Sequence, residues 1–497
     1  MATYYVAEGG TATDQAKENA TSGTYPTGCL SPAGYNAETF SAGDEVHLSD
    51  EGGVIRAQIN TPSSGSSGSE IIIKAKSGDS PIVSGAELIS TWSDEGGNIW
   101  SASRATDPRQ VYIDGTFGDE KGSSGACVNE FDWYWDDPTN TIYLYSTSDP
   151  DTAYTSPGVE YAAREYCVYV TEDYITLEDF DCKYSYAGGV AAWSGVAGFT
   201  ANRIHTSYTG WTPTGSSVAS GIICQNCAGP ITIHQCETEY SGWNGIQTAN
   251  GYVAQALADV TISECYVHNT SHNGIDIRCT NSGGTVTGVV IEECRVHDTL
   301  DNGIYCYREA NYLCSEYEFL NNIVYKTGGG GIIVNAATSA YHDDVIAYGN
   351  TIAFCGQVTY GQGIDFKCTN GVIKNNILFN NNVSETSTTD FKCTDGGGAA
   401  NVADYNWIYC NIHAVGSLIQ WDGTYRSYDE WVSNDSQNAN GDDTDPLMTD
   451  PSNGDFTLQS GSPCKGGAVN LGAGYDTGIL PGSTWPLNVL AADRDNY

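Results

Sequence analysis

A segment of about 29 residues recurs along the middle of this chain, and each copy contains an Asn or Cys followed by a short apolar run. The runs begin at Asn202, Cys236, Cys265, Cys294, Asn322, Asn350 and Asn376. The intervals between them are 34, 29, 29, 28, 28 and 26 residues. A regular spacing of this size is typical of solenoids, in which every copy forms one coil and stacks on its neighbours.

Each copy holds short alternating apolar and polar runs separated by Gly, Asn and Ser, which leaves no room for a helix of ordinary length. We therefore expect an all-β solenoid with about three short strands per coil. Neighbouring coils would lie ~4.8 Å apart, so equivalent residues form ladders along the axis. The Asn and Cys column is then an internal ladder at a turn, where Asn side chains hydrogen-bond to adjacent coils.

The charge of the chain excludes some classes of partner. With 61 acidic and 20 basic residues, the formal net charge is −41, which repels nucleic acid and anionic membrane surfaces. No apolar run is long enough to span a bilayer, and the first residues lack the basic and apolar regions of a signal peptide. Such acidity is common in secreted proteins and also suits cation binding, for which Ca²⁺ is the expected ion.

One short motif recurs in strands of separate coils: an Asp, an apolar residue and then a Lys or Arg. In "GIDIR" and "GIDFK" the apolar residues point inward, so Asp276 with Arg278 and Asp365 with Lys367 point outward. "TDFKC" repeats the motif, and we expect it to stack one coil beyond Asp365 and Lys367. A ladder of alternating charges without any catalytic role would give the same pattern.

The repeats resemble the right-handed parallel β-helix proteins that act on carbohydrates: pectate, alginate and chondroitin lyases, several glycoside hydrolases, and phage tailspikes. "TYYVAEGG" is similar to the N-terminal start of such proteins, and "DPLMTDPSNGDFTLQSGSPC" is similar to their closing coil. The resemblance implies an all-β, right-handed parallel β-helix. Its parts are expected at 1–90 (N-terminal cap and first coils), 91–165 (β-rich insertion), 166–415 (main helix) and 416–497 (C-terminal coils and cap).

Elimination from a uronate-containing polysaccharide is the favoured reaction. A base with a lowered pKa must remove the C5 proton while cations neutralise the sugar carboxylate. "GIDFK" resembles the strand that ends in the Lys base of one pectate lyase family, which implies Lys367 as the base. Lys392 would lower the pKa of Lys367, and Arg278 or Arg308 would hold the carboxylate. Gln362 departs from the calcium cluster of that family, so the metal-assisted form of the reaction is open.

Glycoside hydrolysis is the rival reaction. Two carboxyl groups must flank the scissile bond, about 5 Å apart for retention and about 6.5 to 9.5 Å apart for inversion. Asp365 and Asp390 on neighbouring coils would be ~5 Å apart by the coil spacing. They are therefore the expected hydrolase pair, and a neutral glycan would suit the acidic chain better than a polyuronate.

Further side chains are expected to bind the substrate. Aromatic faces are good platforms for sugar rings. The expected substrate-binding residues are Asp276, Tyr305, Tyr307, Arg308, Trp193 and Gln247.

A third class of function uses the helix as a rigid rod, as in a tailspike or adhesin, without catalysis. The partner is then still a polysaccharide, and the chain is a monomer or a homotrimer. The expected location is extracellular, or the virion surface for a tailspike. Neither membrane insertion nor nucleic-acid binding is expected.

Three smaller features carry weaker expectations. His268 and His297 should stack in one column, with His205 earlier in the chain, and are expected to be satisfied turn residues rather than metal ligands. Cys368 and Cys393 would be either an axial disulfide or buried free thiols. The Asp450–Asp455 segment offers oxygen ligands for Ca²⁺ but is also an ordinary Asx/Gly turn.

Overall fold

The computed structural model describes residues 1–193, 195–210, 219–251, 256–280, 284–309, 313–337, 341–359, 361–384, 389–394, 401–412 and 418–465. The chain divides into two compact units, Met1–Gln225 with Cys236–Gln247 and Asn226–Gln235 with Thr248–Tyr497. The strand Ile246–Asn250 contains one of the boundaries. The expected end of the main helix, at residue 415, lies outside the described residues.

The first unit contains coils of three parallel sheets. Its first sheet comprises Thr3–Ala7, Glu45–Ser49, Ile71–Ala75, Ile175–Glu178 and Phe199–Asn202. Its second sheet comprises Ile82–Ser84, Asp181–Lys183, His205–Thr209 and Glu237–Ser241. Its third sheet comprises Ile59–Asn60, Tyr166–Val170, Gly188–Trp193 and Ser220–Gln225. Its helices are Pro32–Asn36 and Pro150–Ala153, with 3-10 turns at Thr13–Gln15, Lys17–Asn19, Ser124–Ala126 and Asp137–Thr139.

Two small sheets interrupt these coils. One comprises Ala86–Ile89, Val111–Ile113, Thr116–Phe117 and Val159–Ala162, and the other Ser93–Gly96, Ile99–Ser103, Asp119–Glu120, Asp132–Asp136 and Thr141–Tyr145. Buried apolar residues, including Trp133 and Leu144, fill the space between them. Tyr112 of this region packs against Tyr184 of a coil, with ring centroids 3.9 Å apart and an interplanar angle of 34°. The inserted sheets therefore have their own core and rest on the coils through aromatic contacts.

The second unit also has three parallel sheets. Its first sheet comprises Ile231–His234, Ala256–Ser263, Thr285–Glu292, Leu313–Leu320, His342–Tyr348, Val372–Lys374 and Val402–Asp404. Its second sheet comprises Tyr266–Thr270, Arg295–Thr299, Ile323–Tyr325, Thr351–Ala353, Ile377–Phe379 and Trp407–Tyr409. Its third sheet comprises β1 (Ile275–Cys279), β2 (Ile304–Arg308), β3 (Ile332–Ala336), β4 (Ile364–Thr369), β5 (Phe391–Thr394) and the strand Leu418–Trp421.

The C-terminal part of the second unit departs from the parallel pattern. The strand Thr424–Ser427 pairs antiparallel with Leu418–Trp421, and the helix Tyr428–Asp435 follows with a capping box at Ser427. A hairpin of Met448–Asp450 and Asp455–Leu458 encloses the 3-10 turn Pro451–Asn453. No helix within the described residues is long and apolar enough to cross a membrane.

The interior of the second unit confirms the expected alternation. Fully buried positions on β1 to β4 are Ile275, Ile277, Ile304, Ile332, Val334, Ile364 and Phe366. Every one was expected to point inward, because side chains alternate between the two faces of a strand. The all-β parallel β-helix is therefore confirmed, with the apolar residues of each coil stacked on those of the next.

The asparagine ladder is also confirmed. Asn350 Oδ1 accepts the N–H of Asn322 at 3.0 Å, and Asn376 Oδ1 accepts the N–H of Asn350 at 3.0 Å. Asn350 Nδ2 donates in addition to Phe319 O at 2.8 Å. The ladder continues through Asn406 and Asn438. Each side chain thus satisfies backbone groups of the adjoining coil at a buried turn, which is the requirement for polar groups away from water.

Glycine precedes the strands of the third sheet for a steric reason. A Cβ on Gly274 would lie 2.3 Å from a methyl group of Val296, and one on Gly303 would lie 2.2 Å from a methyl group of Val324. Both distances are far below van der Waals contact, so no larger residue fits at this corner. Glycine at this corner therefore fixes where β1 and β2 begin, and Gly331 and Gly363 stand in the same position before β3 and β4.

Candidate functional site

Most predicted site residues of the second unit lie in two rows on the side of its third sheet that points away from the core, which is called the outer face below. Arg308, in register with Cys279 and Ala336, and the buried Asp390 lie outside these rows. The first row is Asp276, Tyr305, Ile333, Asp365 and Lys392. The second row is Arg278, Tyr307, Asn335, Lys367 and Thr394. Parallel pairing aligns these residues because each lies at an outward position of its strand.

Asp276 and Arg278 form a closed pair at one end of the outer face. Arg278 Nε donates to both carboxylate oxygens of Asp276 at 2.8 and 2.9 Å, and Asn273 Nδ2 donates to Asp276 Oδ2 at 2.9 Å. The Asp276 side chain is 0% exposed, whereas that of Arg278 is 28% exposed. Burial alone would lower the pKa of Arg278, but the hydrogen bond to Asp276 and the charge of that carboxylate together raise it. Asp276 was expected to face solvent and is instead covered, because Arg278 folds over it.

Two tyrosines continue this end of the outer face. The rings of Tyr305 and Tyr307 are nearly parallel, with an interplanar angle of 9° and centroids 6.1 Å apart. The guanidinium of Arg278 lies over the Tyr305 ring at 5.7 Å, a cation–π contact. Burial raises the pKa of Tyr305 to about 12. Tyr305 is thus a neutral, partly covered ring at neutral pH.

The register of the last two strands differs from the expected one. Asp365 lies beside Lys392, with Lys392 Nζ 2.7 Å from Asp365 Oδ2. Asp390 lies beside Gly363, whose N–H donates to Asp390 O at 2.8 Å, and its side chain is buried. The expected stacking of Asp390 on Asp365 is therefore wrong. Burial raises the pKa of Asp365, although the Lys392 charge acts against this.

Lys367 is held by backbone carbonyls rather than by a carboxylate. Its Nζ donates to Ala336 O at 3.1 Å and Ala337 O at 2.8 Å, and the Tyr341 ring lies 5.1 Å away. Burial, followed by the charge of Lys392, lowers the pKa of Lys367. Lys392 thus lowers the pKa of Lys367, as expected from the sequence, but burial is the larger cause of the lowering.

Arg308 and Lys367 approach the same segment from opposite sides. Arg308 Nη1 donates to Tyr341 O, and Arg308 O accepts the N–H of Ala337 at 2.9 Å. Its Nε is buried and has no hydrogen-bond partner within the described residues. Two cations therefore converge on Ala336, Ala337 and Tyr341, and the described residues give neither a carboxylate partner.

Sequence reasoning missed His342, which lies beneath these cations. His342 is 0% exposed and its Nε2 lies 2.9 Å from Asn335 O. In the first sheet, the inward position that His342 occupies is held on the preceding coils by Leu257, Val286 and Cys314, which are all apolar and buried. A histidine that interrupts an apolar column was the available signal, since a buried polar group needs a compensating partner.

Trp193 and Gln247 belong to the first unit. Trp193 is partly buried in an aromatic and apolar cluster with Tyr166, Tyr169, Tyr186, Ala191 and Ile223. Gln247 Oε1 accepts hydrogen bonds from Ser220 Oγ and Asn244 Nδ2, each at 3.1 Å. Substrate binding by either residue stays a prediction.

The histidine column agrees with its expected structural role. His268 and His297 are paired in register and stack with centroids 5.3 Å apart at an angle of 8°. His297 Nδ1 lies 2.7 Å from Asp298 Oδ2, and its Nε2 lies 2.8 Å from the Tyr266 hydroxyl. Burial lowers the pKa of His297. These contacts use both ring nitrogens of His297.

The cysteines are all buried and none is in a disulfide. Cys368 and Cys393 both contact Asn401: Cys368 Sγ lies 3.7 Å from Asn401 Oδ1, and Asn401 Nδ2 lies 3.4 Å from Cys393 Sγ. Asn401 thus connects the two sulfur atoms.

Among the described residues, no three His, Cys, Asp or Glu side chains are grouped to hold a metal ion. In the Asp450–Asp455 segment, Asp450 accepts hydrogen bonds from Ser452 Oγ and Asn453 Nδ2 at 2.9 and 2.8 Å. These bonds are those of an Asx turn. Calcium binding stays a prediction.

The chain matches the family described as right handed beta helix region over residues 220–424. This segment is a right-handed β-helix. The expected right-handed parallel β-helix is thereby confirmed. No curated protein is similar enough to match the sequence.

Several solved structures align with this chain, and the first of those below shares its fold. A glycoside hydrolase aligns with a TM-score of 0.56 at 10% identity, over 85% of this right-handed β-helix protein and 95% of its own chain. The pectate lyase Pel9A aligns with a TM-score of 0.43 at 10% identity, over 96% and 93% of the two chains. The structure of XylC with xylose aligns with a TM-score of 0.46 at 14% identity, over 81% and 77%.

Proposed function

We propose that this protein cleaves a uronate-containing polysaccharide by β-elimination on the outer face of its second unit, with Lys367 as the base. The observation that carries the proposal is the setting of Lys367. Its amine lies at an outward position, donates only to backbone carbonyls in the contacts described, and has a lowered pKa caused by burial and by Lys392. A lysine that loses its proton more readily is a better general base near neutral pH.

The local charge favours an anionic substrate. The chain as a whole carries a formal charge of −41, yet Lys367 and Lys392 lie on this face with Asp365 as the carboxylate that pairs with Lys392. Arg308, at the end of β2 and in register with Ala336, adds a third cation that donates to Tyr341 O, next to Lys367. Arg308 Nη1 and Lys367 Nζ donate to the same segment, Arg308 to Tyr341 O and Lys367 to Ala336 O and Ala337 O. Together they would neutralise the carboxylate of one sugar unit bound beside that segment.

The proposed elimination removes a proton from C5 of the sugar and adds a proton to the oxygen that leaves C4. The neutral Lys367 amine takes the C5 proton, the electrons of the C5–H bond form the C4=C5 double bond, and the C4–O bond breaks. Arg308 holds the uronate carboxylate, because Arg278 is already committed to Asp276. Tyr307 or Tyr341 donates a proton to the departing oxygen. Lys367 then returns its proton to water.

Hydrolysis by paired carboxylates has less support. Asp365 has a pKa raised mainly by burial, which suits a general acid. Asp276, the other carboxylate of the first row, is three coils away in register, or ~14 Å. That separation exceeds the ~6.5 to 9.5 Å that inversion requires. A hydrolase would need a second carboxylate from another part of the molecule.

The experiment uses two assays on the full chain. Ultraviolet absorbance of unsaturated uronate products is followed on alginate, pectate and glycosaminoglycans, with Ca²⁺ and with a chelator, and reducing ends are followed on neutral xylans and galactans. We expect absorbance with one uronate polymer, and loss of at least about a hundredfold in Lys367→Met. Lys374→Met, on the first sheet, is the matched control and should retain activity.

The other outcomes point to other functions. Reducing ends without absorbance, lost in Asp365→Asn, would replace the lyase by a hydrolase. A requirement for Ca²⁺ would add a cofactor to the elimination. No product in either assay, together with glycan binding and a homotrimer by light scattering, would favour a non-catalytic rod that binds polysaccharide. The proposed location is extracellular, where such polysaccharides occur, or the virion surface for the rod.

A further inference from the structure

We propose that His342 is a positioning residue for Lys367: its imidazole fixes the backbone at the end of β3, residues 335–337, whose carbonyls hold and orient the Lys367 amine. This inference rests on the proposed function for its catalytic meaning. The hydrogen bonds on which it is based do not depend on whether the protein is active.

The first step is the protonation of His342. Asn335 O can only accept a hydrogen bond, so Nε2, 2.9 Å away, must carry the proton and donate it. Burial lowers the pKa of His342 to about 4, and the nearby charges of Arg308 and Lys367 act in the same direction. The ring is therefore neutral at ordinary pH. Its Nδ1 has no hydrogen-bond partner within the described residues.

The second step is the position of His342 in its column. The equivalent inward positions on preceding coils hold Val286 and Cys314, which need no partner. An apolar residue would therefore fill this position at no polar cost. The coil that carries Asn335, Ala336 and Ala337 is the one that has a histidine instead. The change from apolar to polar thus coincides with the coil that contacts Lys367.

The third step links the backbone at 335–337 to the Lys367 amine. Asn335 is the residue before Ala336, and Asn335 Oδ1 accepts the Ala336 N–H at 2.8 Å. The next two carbonyls, Ala336 O and Ala337 O, accept hydrogen bonds from Lys367 Nζ. A bond from His342 to Asn335 O therefore restrains the backbone directly before these two acceptors.

The fourth step concerns the lone pair. A neutral lysine amine has two N–H bonds and one lone pair in a tetrahedral arrangement. If both N–H bonds are used by Ala336 O and Ala337 O, the direction of the lone pair is fixed. An oriented lone pair is what a general base needs for proton abstraction, because misplacement of the reacting atoms by about 1 Å is costly. Loss of His342 would loosen the two carbonyls and release that orientation.

The test compares three variants of the full chain. His342→Leu and His342→Met fill the site as the preceding coils do, whereas His342→Gln places an amide donor near the position of Nε2. Exchange of the Lys367 Nζ protons with water is measured by NMR after selective ¹⁵N-lysine labelling, at a pH where the amine is protonated. We expect exchange about tenfold faster in the apolar variants, equivalent to one lost hydrogen bond, and near wild type in His342→Gln.

The same variants are then assayed for elimination. We expect kcat to fall about tenfold in His342→Leu with KM within about twofold, and to recover in His342→Gln, since orientation rather than binding is lost. Unchanged Nζ exchange in a folded apolar variant would overturn the inference whatever the activity. If the apolar variants fail to fold, His342→Asn, whose amide is too short to reach Asn335 O, must still accelerate exchange relative to His342→Gln. Accelerated exchange without elimination activity in any form would refute the proposed reaction and keep the role of His342.

Discussion

Lys392 on β5 lies 2.7 Å from Asp365 on β4, so a lysine of one coil pairs with a carboxylate of the next. The side chains are 31% and 19% exposed, which leaves the pair partly open to solvent. Lys392 has two effects on its surroundings. It opposes the rise in the pKa of Asp365 that burial causes, and it lowers the pKa of Lys367 on the adjacent row.

Removing the Lys392 charge should make Lys367 harder to deprotonate. In Lys392→Met we expect the pKa of Lys367 to rise but to stay below its ordinary value, because burial, the larger cause of its lowering, is unchanged. Competitive acylation of the lysines across pH, read by mass spectrometry, gives the Lys367 midpoint directly. Lys392→Arg keeps the charge and should leave the midpoint in place. A shift of equal size in both variants would show that packing rather than charge is responsible.

The asparagine ladder should carry a measurable share of the stability. Asn350→Ala removes the acceptor for the N–H of Asn322 and the donor to Phe319 O, all of them buried. We expect a loss on the order of 1 to 3 kcal/mol in the free energy of unfolding, measured by urea denaturation. Asn453→Ala, in an exposed turn, is the control and should change stability by only a few tenths of a kcal/mol. Equal effects would contradict the ladder.

The repeat predicted most of the fold for a clear physical reason. Inward and outward positions alternate with a period of two, so an apolar pattern as regular as that of Ile275, Ile277 and Ile304 leaves one way to bury the core. The asparagine ladder could also be predicted from the sequence, because buried turns need side chains that satisfy backbone groups.

The site was harder to predict because stacking between coils can slip by two residues without changing which face a side chain occupies. The sequence aligns the two "DFKC" segments, whereas the structure pairs Ile364 with Phe391 and Phe366 with Cys393. Both registers bury apolar residues, so alternation cannot distinguish them. The slip places Lys392 rather than Asp390 beside Asp365. The contact between Arg278 and Asp276 could not be predicted from the sequence either, because it depends on side-chain rotamers and not on the strand pattern.

His205 of the first unit should make stability depend on pH. Burial alone would lower its pKa, but Asp181 and Glu239, 3.5 and 3.2 Å away, outweigh burial and raise it from 6.5 to about 9. The folded state therefore binds the proton more tightly than the unfolded state. Its contribution is complete below pH 6.5 and is lost as the pH rises through about 9.

The expected size of this loss is about 2 to 3 kcal/mol, measured as the free energy of unfolding by urea titration between neutral and alkaline pH. His205→Gln should be less stable at neutral pH and should show a flatter dependence over the same range. Lys183→Gln, beside the same carboxylate of Asp181, is a control for general charge effects. An equally steep decline in His205→Gln would assign the dependence to other groups.

The Asp276–Arg278 pair should respond unequally to loss of its two members. Asp276 is fully buried, so Arg278→Gln leaves a carboxylate without its charged partner, and we expect a loss of about 3 to 5 kcal/mol. Arg278 is 28% exposed and can turn toward water in Asp276→Asn, so we expect a smaller loss of about 1 to 2 kcal/mol there.

The double variant should be more stable than Arg278→Gln alone, because it no longer contains the unpaired buried charge. Urea unfolding of the four proteins gives the coupling free energy. Equal and additive losses would mean that the pair is held by neighbouring contacts such as that of Asn273 and not by the attraction between its charges.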